Sequence, residues 1–196
     1  KGKAPSNSNT EMNVPPANVQ PKAGDTWEKV EWNAIKDGGT YVITVRKGSE
    51  DYLLPSAASS KNPPADPITI AGDTLETDAA TYGWTFTAAE GGGFQIQNGG
   101  NYLYPATGKT NGVRVGTEYS PVWTLAAEGL LSAHNGTAQR YMGVYKATPD
   151  WRTYTSPTGP NIKDDLVSFW HLKDETIVPE TKVKTPTATP GTGSTV

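Results

Sequence analysis

The sequence predicts an all-β domain made of three repeats, each with four short strands. Large apolar residues alternate with polar ones in short bursts separated by turn residues, which is typical of half-buried strands. Each set of these alternating segments ends with a tryptophan, one further residue and a large apolar residue. These closing stretches are YGWTF (82–86), PVWTL (121–125) and SFWHL (168–172). Helical periodicity is nearly absent between them.

Twelve predicted strands fall into these three sets. They span residues 40–45, 52–54, 68–70 and 84–86; then 94–96, 102–104, 113–115 and 123–125; then 130–133, 140–145, 151–154 and 169–172. The turns between them contain Asn-Gly and Gly-Gly pairs, which supply the positive φ angles that tight hairpins need. One further segment, 27–39, is open to two interpretations. Trp27, Val30 and Ala34 could share a helix face, or the segment could be a strand that leads into the domain.

The two ends of the chain differ from this middle region in composition. Residues 1–26 are rich in Pro, Asn, Ser and Lys, and residues 178–196 form a Pro/Thr tract. Segments with so little apolar surface do not offset the entropy that is lost on ordering. We therefore expect a flexible, disordered N-terminal linker (1–26), a β domain (27–175) and a Pro/Thr-rich C-terminal linker (176–196). Such linkers favour a chain with additional domains, although frayed ends of a single-domain protein have the same composition.

Composition and motifs argue against several function classes. The net charge of −3 and the pI of about 5.4 speak against a nucleic-acid partner, and no apolar run reaches the ~20 residues of a membrane span. There is no cysteine, hence no disulfide or thiolate site. ATGKT (106–110) lacks the earlier glycine of a phosphate-binding loop. No metal-ligand or nucleophile spacing occurs, so we expect no enzyme activity, no cofactor and no metal.

The titratable side chains do not form an evident catalytic group. His134 and His171 are the two histidines, and we expect both to be solvated. Asp150 with Asp164 and Asp165 could in principle supply the carboxylate pair of a glycosidase. Many other loop carboxylates are equally eligible, so a solvated role is the expectation for these as well.

Three units of four strands resemble the β-trefoil fold, in which six strands close a short barrel and six form a hairpin cap. The resemblance covers residues 33–173 and is nearest to the ricin-B-type lectin domains. In that group a tryptophan near the fourth strand of each unit packs into a shared core. The resemblance implies that Trp84, Trp123 and Trp170 make one core contact three times around a pseudo-threefold axis.

The chain departs from the ricin-type pattern at its signature glutamine. The Q-x-W glutamine is replaced by Tyr82, Pro121 and Ser168, so the sugar sites of that family are not carried over. The stretch from RYMGVY to DWRTY (140–154) also resembles trefoil-like modules of exported, surface-anchored proteins of gut bacteria. That resemblance implies an extracellular or bacterial cell-surface location, as in a lipoprotein.

One cluster, in YKATPDWRTY (145–154), is a candidate ligand site. Trp151 has Gly112 as its counterpart in the second unit, so it is not an evident part of a repeated core. A sugar stacks its C–H face on an aromatic ring, and its hydroxyls bond to carboxylate, amide or guanidinium groups. The predicted ligand-binding residues are Tyr145, Asp150, Trp151, Arg152 and Tyr154, with Tyr104, Asn111 and Arg114 as the corresponding surface of the second unit. Alternatively, Trp151 shields the end of the barrel while Arg152 pairs with Asp150.

The sequence therefore predicts a non-catalytic binding module of an exported multidomain protein. Its expected partners are a carbohydrate, or another extracellular ligand, and the additional domains of its own chain. A structural or protein-interaction spacer attached to an enzyme is the alternative.

Overall fold

The computed structural model describes residues 24–177, and within them the chain is almost entirely strand and turn. The described part of the chain begins with β1 (Asp25–Val30) and a 3-10 turn (Trp32–Ala34). The elements that follow are named by the three sets of strands predicted from the sequence, as the first, second and third units. The first unit comprises β2 (Gly39–Lys47), β3 (Glu50–Leu53), β4 (Asp66–Ile68), β5 (Thr74–Thr77), the one-turn helix α1 (Ala79–Tyr82) and β6 (Trp84–Ala88). The second unit comprises β7 (Phe94–Asn98), β8 (Asn101–Pro105), β9 (Val113–Gly116) and β10 (Thr124–Leu125). The third comprises β11 (Leu131–His134), β12 (Gln139–Tyr145), β13 (Asp150–Tyr154) and β14 (Leu166–Leu172).

All twelve predicted strands overlap an observed strand, although the segment 68–70 does so only at Ile68. β1 and β5 were not among the twelve. The ambiguous segment 27–39 begins as a strand, and Ala34 lies in the 3-10 turn that follows. β1 starts two residues before the predicted domain boundary because Asp25 and Thr26 pair with β5. Most of both predicted linkers lies outside the described residues.

Every strand pair is antiparallel, and the pairs form two sheets. One sheet has the order β5-β1-β14-β2-β6-β7-β8-β9, with β3 paired to β2 and β4 to β3; the other has the order β10-β11-β12-β13. Several backbone contacts join the two sheets, including the following two. The N–H groups of Phe94 and Trp123 donate to each other's carbonyls at 3.0 and 2.8 Å, and Val167 N–H donates to the Gly129 carbonyl at 3.0 Å. Successive contacts therefore lead from β2 through β6 and β7 to β10 and β11. From Gly129, in the turn between these last two strands, they lead to β14, which pairs again with β2.

Three hairpins extend from these strands and contact one another. They are β3–β4, β8–β9 and β12–β13. Single backbone bridges connect Ser59 to Val115, Gly112 to Arg152 and Pro64 to Asp150. Each of the three hairpin regions thus touches the other two.

The buried side chains form two clusters, and the three closing tryptophans divide between them. Trp84 and Trp123 are fully buried in the larger cluster, and their indole N–H groups donate to the carbonyls of Leu54 (3.1 Å) and Leu103 (2.9 Å). Trp170 is buried in the smaller cluster and donates to the Thr44 hydroxyl at 2.9 Å. The expectation that all three make the same contact is wrong for Trp170. Neighbouring residues of a strand face opposite sides, and on β14 it is Phe169 that enters the larger cluster.

Candidate functional site

The third-unit candidate residues occupy two opposite faces of the hairpin β12–β13. Trp151 is fully buried, and its indole N–H donates to the Leu53 carbonyl at 3.1 Å. Its expected role as an exposed stacking ring is therefore wrong. Its side chain points to the same side as buried Thr153, whereas Asp150 and Arg152 are only partly buried and point to the other. This is the alternation of a regular strand, and it places the tryptophan in the core.

The outward face of this hairpin is internally paired. The Arg152 guanidinium lies 4.0 Å from the centroid of the Tyr145 ring and so covers one of its faces. The same group donates from Nε to Asp150 Oδ1 at 2.6 Å and from Nη2 to Asp150 Oδ2 at 3.1 Å. The hydrogen bond to Asp150 raises the pKa of Arg152, and burial raises that of Tyr154. A ligand would have to compete with these contacts for the same donors and the same ring.

The second-unit candidates lie on the hairpin β8–β9, where Tyr104 is paired across the strands with Arg114. Tyr104 is nearly buried, and its hydroxyl donates to Glu118 Oε2 at 3.3 Å. Burial raises the pKa of the Tyr104 phenol, and the charge of Glu118 raises it further. Arg114 donates from Nη1 to Asn62 Oδ1 and to the Val113 carbonyl, both at 2.8 Å. Both of these partners are neutral, and among residues 24–177 no carboxylate forms an ion pair with Arg114.

These residues border a cavity of about 370 Å³. One wall is the hairpin β8–β9 with the turn that follows it, and the other is the loop 58–60 of the first unit. The loop is held by reciprocal backbone hydrogen bonds between Ser59 and Val115, at 2.8 and 3.0 Å. The lining residues are Ala58, Ser59, Ser60, Asn101, Tyr104, Arg114, Val115, Gly116, Thr117 and Glu118. The lining therefore offers hydroxyls, an amide, a carboxylate and a guanidinium within one concave surface.

The third unit has a glycine, Gly143, at the position that Tyr104 occupies in the second unit. Arg152 is paired with Gly143 in the same way that Arg114 is paired with Tyr104. A Cβ atom on Gly143 would lie 2.5 Å from Ile162 Cγ2 and 2.8 Å from Asp165 Oδ2. The loop before β14 thus covers the surface that remains open beside β8–β9.

A second cavity of about 320 Å³ lies on the first unit, where Arg46, Ser49, Glu50, Asp51 and residues 67–70 line it. Its charged groups are already paired. Arg46 forms a two-pronged ion pair with Asp51, with an Nε–Oδ1 distance of 2.9 Å. Lys146 pairs with Glu50 at 3.0 Å. The second-unit cavity is the better candidate because, in the part of the chain that the structure describes, its guanidinium has no carboxylate partner of this kind.

Sequence reasoning found part of the second-unit cavity. Of the three predicted residues, Tyr104 and Arg114 line it, but Asn111 does not; its side chain accepts a hydrogen bond from Arg140 instead. Glu118 was one of many equivalent loop carboxylates in the sequence. Ser59 and Ser60 come from the first unit, and no local pattern marks them as neighbours of β9. Only the folded contacts between hairpins bring them there.

The other titratable candidates have structural partners. Asp165 is buried and accepts from Lys47 Nζ at 2.8 Å, and burial raises its pKa. His134 is exposed, as expected. His171 is not simply solvated, because its Nε2 lies 2.9 Å from Glu175 Oε2 and its ring centroid 5.1 Å from that of Tyr41. Among residues 24–177, no group of three or more acidic or histidine side chains is arranged to hold a metal ion.

The chain was compared with protein families, curated proteins and solved structures. No family model, no curated protein and no solved structure matches it. In the part of the chain that the structure describes, no helix is both long and apolar enough to cross a membrane.

Proposed function

We propose that the protein is a non-catalytic binding module whose ligand is a carbohydrate, bound in the cavity beside β8–β9. The observation that carries the proposal is a guanidinium, a carboxylate, an amide and four hydroxyl-bearing side chains around one space of about 370 Å³. A sugar presents hydroxyls that both donate and accept, so it needs both kinds of group within one site. The volume lies in the range of small-ligand sites.

The polarity of the cavity also bears on affinity. Tyr104 is buried and its hydroxyl donates to Glu118, so it offers no open ring face for stacking. Without a stacking platform, recognition rests on hydrogen bonds that replace bonds to water, and each contributes only about 0.5–1.5 kcal/mol. We expect dissociation constants in the millimolar to high-micromolar range, equivalent to roughly 4–6 kcal/mol of binding free energy.

The proposed architecture is a β-trefoil. In support of it, backbone contacts run from strand to strand through β2, β6, β7, β10, β11 and β14 and return to β2. The three hairpins bridge one another at Ser59–Val115, Gly112–Arg152 and Pro64–Asp150. A ring of six strands capped by three hairpins is the arrangement that the fold requires. The cavity would then lie between the hairpins of the first and second units.

A protein-interaction role is the second candidate, and the third unit favours it. The outward face of β12–β13 is a charged aromatic surface in which Tyr145, Asp150 and Arg152 contact one another. Tyrosine and arginine are enriched at protein interfaces. This surface would dock a neighbouring domain rather than a sugar.

The test of the carbohydrate proposal is a glycan panel screened with the 196-residue chain, followed by calorimetric titration of any hit. Arg114→Met and Glu118→Gln each remove one charged group from the cavity, and we expect each to weaken binding roughly tenfold or more. Arg46→Met is the matched control, because it removes a guanidinium from the other cavity and should leave glycan affinity unchanged. Thermal unfolding of each variant shows whether the fold is retained.

Two outcomes would contradict the proposal. One is a glycan whose affinity is the same in the wild type and in both cavity variants. The other is the absence of any response across a broad panel, which would favour the interaction role.

A further inference from the structure

Arg140, at the start of β12, is a buried cation whose hydrogen-bonding capacity is mostly unused. The residue is 5% exposed. Its Nη1 donates to Asn111 Oδ1 at 2.9 Å, and its Nε is shielded from solvent without a hydrogen-bond partner. A guanidinium carries five N–H donors in a fixed fork. Within residues 24–177, this fork is held by a single neutral acceptor.

No described carboxylate forms an ion pair with Arg140. The ion pairs of lysine and arginine side chains within residues 24–177 involve Arg46, Lys47, Lys146, Arg152 and Lys173. Moving a charge out of water is costly unless a counter-charge and hydrogen bonds compensate it. Among residues 24–177, the buried guanidinium of Arg140 therefore has no carboxylate counter-charge.

The loop 106–111 lies against this guanidinium and supplies further polar groups. The buried side chain of Asn135 donates to the carbonyls of Ala106 (3.2 Å) and Gly108 (3.0 Å), which fixes the loop beside the turn between β11 and β12. The loop ends at Asn111, the partner of Arg140. Between these anchors it exposes Lys109, which has no ion pair among the described residues, and two threonine hydroxyls at 107 and 110. The loop that contacts Arg140 through Asn111 thus also carries a second cation and two hydroxyls.

We propose that this site, formed by Arg140 and the loop 106–111, binds an oxyanion: a sulfate, phosphate or carboxylate group. The planar fork of arginine matches two oxygens of such a group and forms stronger hydrogen bonds with it than with a neutral acceptor. The group is either a free inorganic anion or a substituent of an acidic sugar. Because Arg140 is nearly enclosed, the exposed loop must shift at Asn111 to admit it. The site does not depend on the cavity of the second unit, since neither Arg140 nor Asn111 lines that cavity.

The test is a titration of the 196-residue chain with sodium sulfate at constant ionic strength, balanced with sodium chloride. Two signals are followed: the melting temperature and the NMR resonance of the Arg140 Nε–H group. We expect both to change in a saturable manner in the wild type. Arg140→Met should lose the saturable rise in melting temperature, and Arg140→Lys should keep part of it with at least a tenfold weaker affinity. Arg46→Met is the matched control and should respond as the wild type does.

The result that overturns the proposal is a melting temperature that responds to sulfate equally in the wild type and in Arg140→Met, since sulfate also stabilises proteins generally. If Arg140→Met does not fold, Asn111→Ala and the Nε–H resonance decide the question. An unchanged resonance at saturating sulfate refutes the site. Parallel titrations with glucuronate, acetate and glucose then separate the two sources. If glucuronate binds more tightly than sulfate or acetate, the natural ligand of the site is an acidic sugar. If sulfate binds at least as tightly as glucuronate, the natural ligand is a free inorganic anion.

Discussion

Trp151 shows how a correct observation on a single residue can lead to a wrong role. Its residue type does not recur in the other units, and this suggested an exposed ring. In the strand pairing, however, Trp151 lies opposite Val144 in the hairpin β12–β13, and Val113 lies opposite Pro105 in the hairpin β8–β9. These two pairs occupy equivalent positions of their hairpins. The counterpart of Trp151 is therefore Val113 and not Gly112. Both Trp151 and Val113 are fully buried in the larger cluster. An offset of one residue exchanges the inner and outer faces of a strand, and the sequence alone did not fix that register.

Trp123 provides the stability test at this scale. Its side chain is fully buried and its indole N–H donates to the Leu103 carbonyl. Trp123→Ala should lower the free energy of unfolding by about 3–5 kcal/mol, because truncation removes buried apolar area and leaves a cavity. Leu166→Ala, at a residue that is 54% exposed, should change it by only about 0.5 kcal/mol. The measurement is chemical denaturation of both variants, and equal midpoints would contradict the core assignment.

At the scale of elements, the least predictable part was the pairing at the two ends of the described chain. β1 lies between β5 and β14, and Trp27 is buried there with its indole N–H donating to the Thr77 carbonyl at 2.9 Å. The sequence left 27–39 undecided because Trp27, Val30 and Ala34 recur at the spacing of a helix face, while the segment could equally be a strand that leads into the domain. Pairing with a strand more than 130 residues later decides the matter, and local patterns carry no information on such partners.

The segment after β14 is attached to β2 by one carboxylate. Glu175 accepts from the backbone N–H of Thr40 at 2.9 Å and from the Thr40 hydroxyl at 2.5 Å, and it also contacts His171. Burial raises the pKa of Glu175, but the hydrogen bonds from His171 and Thr40 outweigh burial and hold the pKa below its ordinary value. A carboxyl group whose pKa is lower in the folded state stabilises the fold above its unfolded pKa. That contribution is lost as the pH falls through the folded pKa.

We therefore expect the wild type to lose more stability than Glu175→Gln when the pH falls from about 5 to about 3. The difference should be about 1 kcal/mol, since the carboxylate is partly accessible to solvent. Glu128→Gln, at an exposed glutamate, is the matched control and should follow the wild-type curve. Denaturation midpoints measured across this pH range test the prediction, and parallel curves for the wild type and Glu175→Gln would refute it.

At the scale of the whole molecule, alternation and turn residues were enough to predict an all-β chain and the positions of its strands. They could not show how the hairpins meet. The loop 58–60 reaches β9 through Ser59, and Asn62 accepts hydrogen bonds from Val113 N–H and Arg114. These contacts create the second-unit cavity, so its composition depends on three-dimensional packing between units. The candidate site was therefore predictable only for the two residues, Tyr104 and Arg114, that share one hairpin.

Mapping of ligand contacts by NMR would show directly whether a glycan binds in the cavity beside β8–β9. The 196-residue chain, labelled with nitrogen-15, would be titrated with the tightest glycan from the panel. Binding beside β8–β9 predicts that the largest saturable amide shifts occur at Ser59, Ser60, Asn101 and residues 114–118, with little change at 145–154. Shifts centred on 145–154, or spread over the surface without saturation, would contradict the account.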